Sequence, residues 1–370
     1  MNQTEASQVK QPFYTKLAMI LLSIYLIGYL AIQGKELLSP FIIAMLFAIM
    51  LLPAANFFEK KLRFSRTLST FTSIFMLLGV ILFLLYLLGS QLSTVADDWP
   101  VFKEQLMHTL DTTRTWLSHN MHIDSKKQIT YIQDATSKII SSSTVILGTT
   151  VISASSLLLF LVFILIYCFF LLFYRRHIVH FLVYVFREDN KAIVYDILEQ
   201  VQYVIRSYLL GLMLEMLLVS VACCMTFWIL GIKYAILLGL IVGVFNIIPY
   251  IGIFSALLLS TIITFASGAT LSTVGLVAVS VIIIHLIDSN FLLPVIVGSK
   301  VRINALITIA GVIIGEMMWG ISGMFLSIPV VAILKIIFDR VDGLRPWGML
   351  LGEETRMKKK KTKQPKITSS

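Results

Sequence analysis

Runs of about 20 mostly apolar residues recur along this chain with basic residues at their ends, and as helices such runs cross the ~30 Å hydrocarbon core of a bilayer. Lipid offers no partner to a bare backbone N–H or C=O, so these runs must satisfy their own hydrogen bonds. Hydrophobic residues make up 58% of the chain and charged ones 14%, against roughly 45–50% and 25% in a soluble domain. Too little polar surface remains to cover a water-soluble globule. The expected fold is an all-α polytopic membrane protein of about eight transmembrane helices, with at least one broken or re-entrant segment in the carboxyl-terminal half.

The net charge of +10 sits in short clusters at the ends of apolar runs, where it meets anionic lipid headgroups rather than forming a nucleic-acid stripe. Membrane lipid is therefore an expected partner and nucleic acid is not. Cys168, Cys223 and Cys224 all lie inside apolar segments, and the vicinal pair diverges on a helix, so neither a disulfide framework nor metal spacing is present. His119 and His122 have helical i, i+3 spacing without a third ligand and read as a surface pair. Nothing resembles a phosphate-binding loop, a nucleophile elbow or a metalloprotease pair. No catalytic residue, cofactor or metal centre is expected.

Along the chain, residues 1–90 hold three spans. The first follows Lys10 and Lys16 and lacks a cleavage pattern, so it reads as an uncleaved span. The basic loop from Glu59 to Arg66 places the end of the second span in the cytoplasm. Residues 91–149 form an external, partly helical segment with Phe102, Leu106, Leu110 and Leu117 near helical spacing. Residues 150–174 form the fourth span, ending at Arg175-Arg176, and residues 175–206 carry a cytoplasmic amphipathic helix along the interface. A transport core with broken helices follows at 207–340, then a basic cytoplasmic tail at 341–370. Within the core, spans run over 208–230 and from 235 towards Pro249, and a last, glycine-rich span over 305–338. The stretch 251–287 is too long for one ordinary span, and Ser267-Gly268-Ala269 offers a break near its middle. Either one half of it is re-entrant or a single long helix is strongly tilted, because two crossings would leave the basic tail outside.

An ionisable group at the centre of a bilayer costs at least ~2.5–3.5 kcal/mol, so rare intramembrane acids are candidates for function. Glu215 lies about nine residues past Arg206, roughly 13 Å deeper along a helix, and is the best single candidate for binding a proton or cation; helix packing is the competing role. Glu316 is a second acid, on the glycine-rich last span; beside the Trp319-Gly320 kink region, a structural or interfacial role competes with function and leads it. In Asn246-Ile247-Ile248-Pro249-Tyr250-Ile251-Gly252, proline frees a carbonyl, glycine admits irregular backbone and asparagine supplies donor and acceptor. Such a break either lines a cavity or ends a helix at the interface. Asp288-Ser289-Asn290 runs into Pro294 and Gly298 through apolar residues and reads as a cavity-lining broken element. His285, one turn before Asp288, is placed either to hydrogen-bond it or to pack; histidine is the side chain whose unperturbed titration falls near neutral pH.

The sequence resembles the autoinducer-2 exporter family, also called the PerM-type permeases. The resemblance rests on Arg206-Ser207-Tyr208 with Gly211, Leu230-Gly231, the stretch from Asn246 to Gly252, Asp288 with Asn290 to Pro294 and Gly298, and Gly320 to Gly323 followed by Ile328-Pro329-Val330. It implies about eight transmembrane helices, both termini cytoplasmic in a bacterial inner membrane, a homo-oligomer, and solute export. Some relatives are associated with autoinducer-2 release and others with sodium or lithium exchange for protons. This chain departs from the family pattern at Leu212, at Asn304-Ala305 and at Glu316.

Together these features lead to a secondary exporter of a small polar solute such as autoinducer-2, coupled to protons. Its expected pathway residues are Glu215, Asn246, Pro249, Tyr250, Gly252, Asp288, Asn290, Pro294, Gly298 and Glu316. A sodium or lithium/proton antiporter, with a monovalent cation as substrate, is the second reading, and a membrane scaffold without transport the third.

Overall fold

The computed structural model describes residues 12–98, 100, 104, 155–248, 251–298 and 303–353. The expected external helix, the pair His119 and His122, the residues Pro249 and Tyr250, and the tail beyond Glu353 lie outside the described residues. The helices are α1 (Phe13–Gln33), α2 (Lys35–Lys60), α3 (Arg66–Asp97), α4 (Ser155–Phe173), α5 (Arg175–Tyr184), α6 (Lys191–Ile229), α7 (Ala235–Phe245), α8 (Ile251–Ala266), α9 (Leu271–Ile287), α10 (Ala305–Trp319), α11 (Ile321–Arg340) and α12 (Arg345–Leu351). Two π-helical turns, Asp288–Leu292 and Pro294–Gly298, prolong α9. Seven of the described helical segments are long and apolar enough to cross a membrane, and shorter apolar helices pack among them. The fold class read from the sequence is the one observed.

Contacts between helix ends define two faces. At the first, Glu59 at the end of α2 pairs with Arg175 and Arg176, and Asp196 near the start of α6 pairs with Arg340 at the end of α11. At the second, the Trp319 indole donates to the Ala31 carbonyl at 2.9 Å, and Asp98 receives Lys233 and Tyr234 from the α6–α7 turn. Helices α1 to α4, α6, α9 with its π turns, α10 and α11 run between these faces. Helices α7 and α8 instead form a hairpin that starts from the second face and turns back to it.

Two differences from the sequence reading have local causes. The expected interfacial helix ending at 206 and the span beginning at 208 form one 39-residue helix, α6, about 58 Å long. No proline interrupts it, and one buried stripe (Val204, Tyr208, Leu212, Glu215, Val219, Cys223) runs straight through the junction. The single last span is two helices, broken at Gly320, whose φ of +61° lies in a region that side-chain-bearing residues rarely enter. The stretch 251–287, expected to break at Ser267-Gly268-Ala269 or to run as one tilted helix, is two helices, α8 and α9, divided at the positive-φ Gly268.

Hydrocarbon gives apolar helices no reason to prefer each other over lipid, so close packing of small residues must hold these hairpins together. In α10–α11 the backbones of Gly315 and Gly323 touch, and a Cβ on either would collide with the other's carbonyl. In α6–α7 a Cβ on Gly243 would meet the Ser220 hydroxyl and the Met216 carbonyl, and one on Gly239 would meet Cys224. That contact sets the antiparallel register of α7 on the second-face half of α6.

Candidate functional site

The stripe that buries α6 carries Glu215 into the bundle, 14 residues before the helix ends at Ile229, and therefore about 21 Å from the second face. Helix α7, 11 residues long, descends about 16 Å beside it. It ends at Asn246 because Pro249 can supply no N–H to continue it; the amides of Ile247 and Ile248 instead make tighter turns, to Val244 and Phe245. The chain then returns at once, since Gly252 lies so close to the Phe245 carbonyl that a Cβ would overlap it. Helix α9 presents Val277, Val281 and Ile284 along one stripe, and the next position on that stripe is Asp288. Three chain segments thus deliver three polar side chains to one depth.

There the Asn246 amide nitrogen donates to Glu215 Oε1 at 3.1 Å and to Asp288 Oδ2 at 2.9 Å. Glu215 and Asp288 are each only 3% exposed. Their remaining oxygens, Glu215 Oε2 and Asp288 Oδ1, are buried without a hydrogen-bond partner among the described residues. An amide has two N–H hydrogens, and both are committed, one to each carboxyl group. Two carboxylates held by one neutral donor, at a depth where a single charge is already costly, call for positive charge from a proton or cation. The arrangement is suited to taking up and giving back that charge.

The structure brings Glu215, Asn246 and Asp288 together, with Gly252 shaping the return beneath them. It does not bring Asn290 or Glu316 to the cluster. The Asn290 amide donates to the Leu286 carbonyl at 2.7 Å, and the neighbouring Ser289 hydroxyl to the His285 carbonyl at 2.8 Å, so both side chains serve the backbone where α geometry gives way to π. Glu316 is exposed near the Gly320 break, one turn from the second face. Pro294 and Gly298 begin and end the second π turn. His285 lines a small cavity beside Asn246 and Asp288.

Where the helices meet the second face, Asp98 stands in a different setting. Its Oδ2 takes Lys233 Nζ at 2.7 Å and the Tyr234 hydroxyl at 2.6 Å. The hydrogen bonds from Lys233 and then Tyr234 hold this carboxyl below the usual carboxylate range. The contact ties the end of α3 to the turn from which the α7–α8 hairpin starts.

Comparison with known proteins agrees with this architecture. The description "AI-2E family transporter" matches residues 15–343. Two proteins of Bacillus subtilis (strain 168) align along most of their length. "Putative transport protein YrrI" is 26% identical over 311 residues, 82% of this chain and 86% of that protein. "Putative transport protein YueF" is 25% identical over 342 residues, 86% of this chain and 90% of that protein. "Putative permease PerM" of Escherichia coli (strain K12) is 27% identical over 149 residues, 40% of this chain and 42% of its own length.

Proposed function

Since the chain belongs to the AI-2E family transporter family, we propose that it exports a small polar solute of the autoinducer-2 type and couples that export to protons bound at Glu215 and Asp288. The observation that carries this reading is the Asn246 amide joined to two buried carboxyl groups, each with an oxygen left over. Protons are favoured over sodium or lithium because the point where the two carboxyl groups converge is filled by an N–H donor. A bridging cation would need an oxygen there, which Asn246 presents only if its amide turns over and gives up both hydrogen bonds.

In this reading the first face is cytoplasmic and the membrane is a bacterial inner membrane. Lys60, Lys61, Arg63, Arg66, Arg175 and Arg176 gather at that face beside the α2–α3 loop and the end of α4, the distribution that the positive-inside rule assigns to the cytoplasm. Residues 12 and 353, the outermost of the described segments, both lie towards this side.

The test is uptake of labelled autoinducer-2 into everted membrane vesicles containing or lacking the protein, with and without an imposed pH gradient. Protein-dependent, gradient-sensitive uptake is expected, and both Glu215→Gln and Asp288→Asn should remove the gradient sensitivity. Unaltered sensitivity in the two variants would sink the coupling role. No uptake into sealed vesicles carrying folded protein would sink the substrate assignment.

A further inference from the structure

A cavity of about 10 Å³, room for a single water, lies against Asp288, one member of the carboxyl pair. Asn246, His285 and Asp288 form its polar wall, and Val219, Val242 and Ala256 part of its apolar one. His285 stands one helical turn before Asp288 on the stretch of α9 that leads to the second face, and its ring is half-buried. The unpartnered Oδ1 of Asp288 is fully buried.

A proton bound to the pair must arrive through a group that can both donate and accept, and the surroundings offer few. Helices α7 and α8 carry no ionisable side chain. Helix α6 presents Glu215, a member of the pair, Cys223, a fully buried thiol, and Tyr208, a buried phenol two turns from Glu215 on its first-face side, away from the cavity. From α9 and its π turns come His285 and Asp288, and the neighbouring Ser289 hydroxyl and Asn290 amide are already given to backbone carbonyls. Besides Asp288 itself, imidazole is the one group among the described residues of this wall that can both release and take up a proton.

Building on the coupling role of the pair, we propose that His285 passes protons between the second face and the Glu215–Asp288 pair, with one water in the cavity as carrier. In the loading step an imidazolium N–H gives its proton to the water oxygen while that water gives a proton to Asp288 Oδ1. Neutral imidazole, water and a carboxylic acid remain. A hydronium ion from the second-face side then protonates the imidazole again and leaves water, and release runs the same steps backwards.

The experiment uses the full chain in vesicles of phosphatidylethanolamine and phosphatidylglycerol, a flash-induced drop in pH, and time-resolved infrared detection of the carboxylic acid C=O stretch. A band that Asp288→Asn removes should appear after the flash in the unaltered protein. In His285→Gln it should reach the same final amplitude about a hundredfold more slowly, the scale of a lost general acid. In His285→Ala, imidazole added to the buffer should restore the rate, which a packing role for the ring would not produce. An unchanged rate in His285→Gln, with the band intact, overturns the relay and leaves the pair standing. If the unaltered protein shows no band that Asp288→Asn removes, the pair does not titrate and the relay falls with it. Should His285→Gln not accumulate as folded protein, His285→Asn carries the same expectations.

Discussion

Two regions of this molecule hold carboxyl groups against α7, and they solve opposite problems. At the second face Asp98 meets an ammonium and a phenol beside water, so its charge is matched and its environment is forgiving. About 20 Å further in, Glu215 and Asp288 share a single neutral amide and keep two oxygens without partners among the described residues. A matched, hydrated ion pair contributes modestly and fastens parts together. An unmatched, buried pair is expensive to keep, and its retention at the junction of three chain segments is what points to work rather than to structure.

The largest effect should come from the scaffold that delivers the inner site. Gly315→Leu places a side chain into the Gly323 backbone and is expected to abolish the folded species in size-exclusion chromatography. Gly275→Leu, where a Cβ meets nothing within 4 Å, should leave it intact. Equal behaviour of the two variants would show that close backbone approach is not what holds the α10–α11 hairpin.

Next comes the bridge itself. Asn246→Leu removes the only donor that the described residues give to either carboxyl group and should cost about 1–3 kcal/mol in stability, together with gradient-sensitive transport. A thermal melt in detergent alongside vesicle transport reads both. If stability is unchanged while transport is lost, the amide positions the acids without stabilising them.

The smallest effect belongs to the outer contact. Asp98→Asn should shift the melting temperature slightly at low ionic strength and not at high, because the pair is partly hydrated and screened. The sign with pH is fixed by the lowered carboxyl. Its contribution is fully present above about pH 4, the unfolded value, and is lost as the pH falls through the lower folded one. Melts between about pH 5 and 8 should therefore show no change traceable to Asp98. A difference between Asp98→Asn and the unaltered protein that varies across that window would mean Asp98 is coupled to another titrating group.

Much of the inner site is legible in the sequence once the right period is applied. Glu215 falls on the stripe Tyr208, Leu212, Glu215, Val219, and Asp288 on the stripe Val277, Val281, Ile284, Asp288, so both acids are directed into the bundle by helical spacing alone. Pro249 and Gly252 marked Asn246 as the end of a helix rather than the middle of one. Asn290 and Glu316 were singled out by polarity in an apolar setting, yet polarity does not separate a side chain that serves its own backbone from one that faces a partner. The break at Gly320 was written as part of a continuous span because glycine alone does not end an apolar run. Only its positive φ, and the meeting of Gly315 with Gly323, distinguish a hairpin from a rod.

The sequence by itself determined that this chain lives in a membrane, that it is helical, and which face of α6 and of α9 turns inward, because those follow from hydrophobicity and from a period internal to each helix. Tertiary structure decided that Asn246 would find Glu215, 31 residues before it, and Asp288, 42 residues after it. Between helices in lipid the register is set by how closely backbones approach at Gly239, Gly243, Gly315 and Gly323, and that depends on the shape of both surfaces at once.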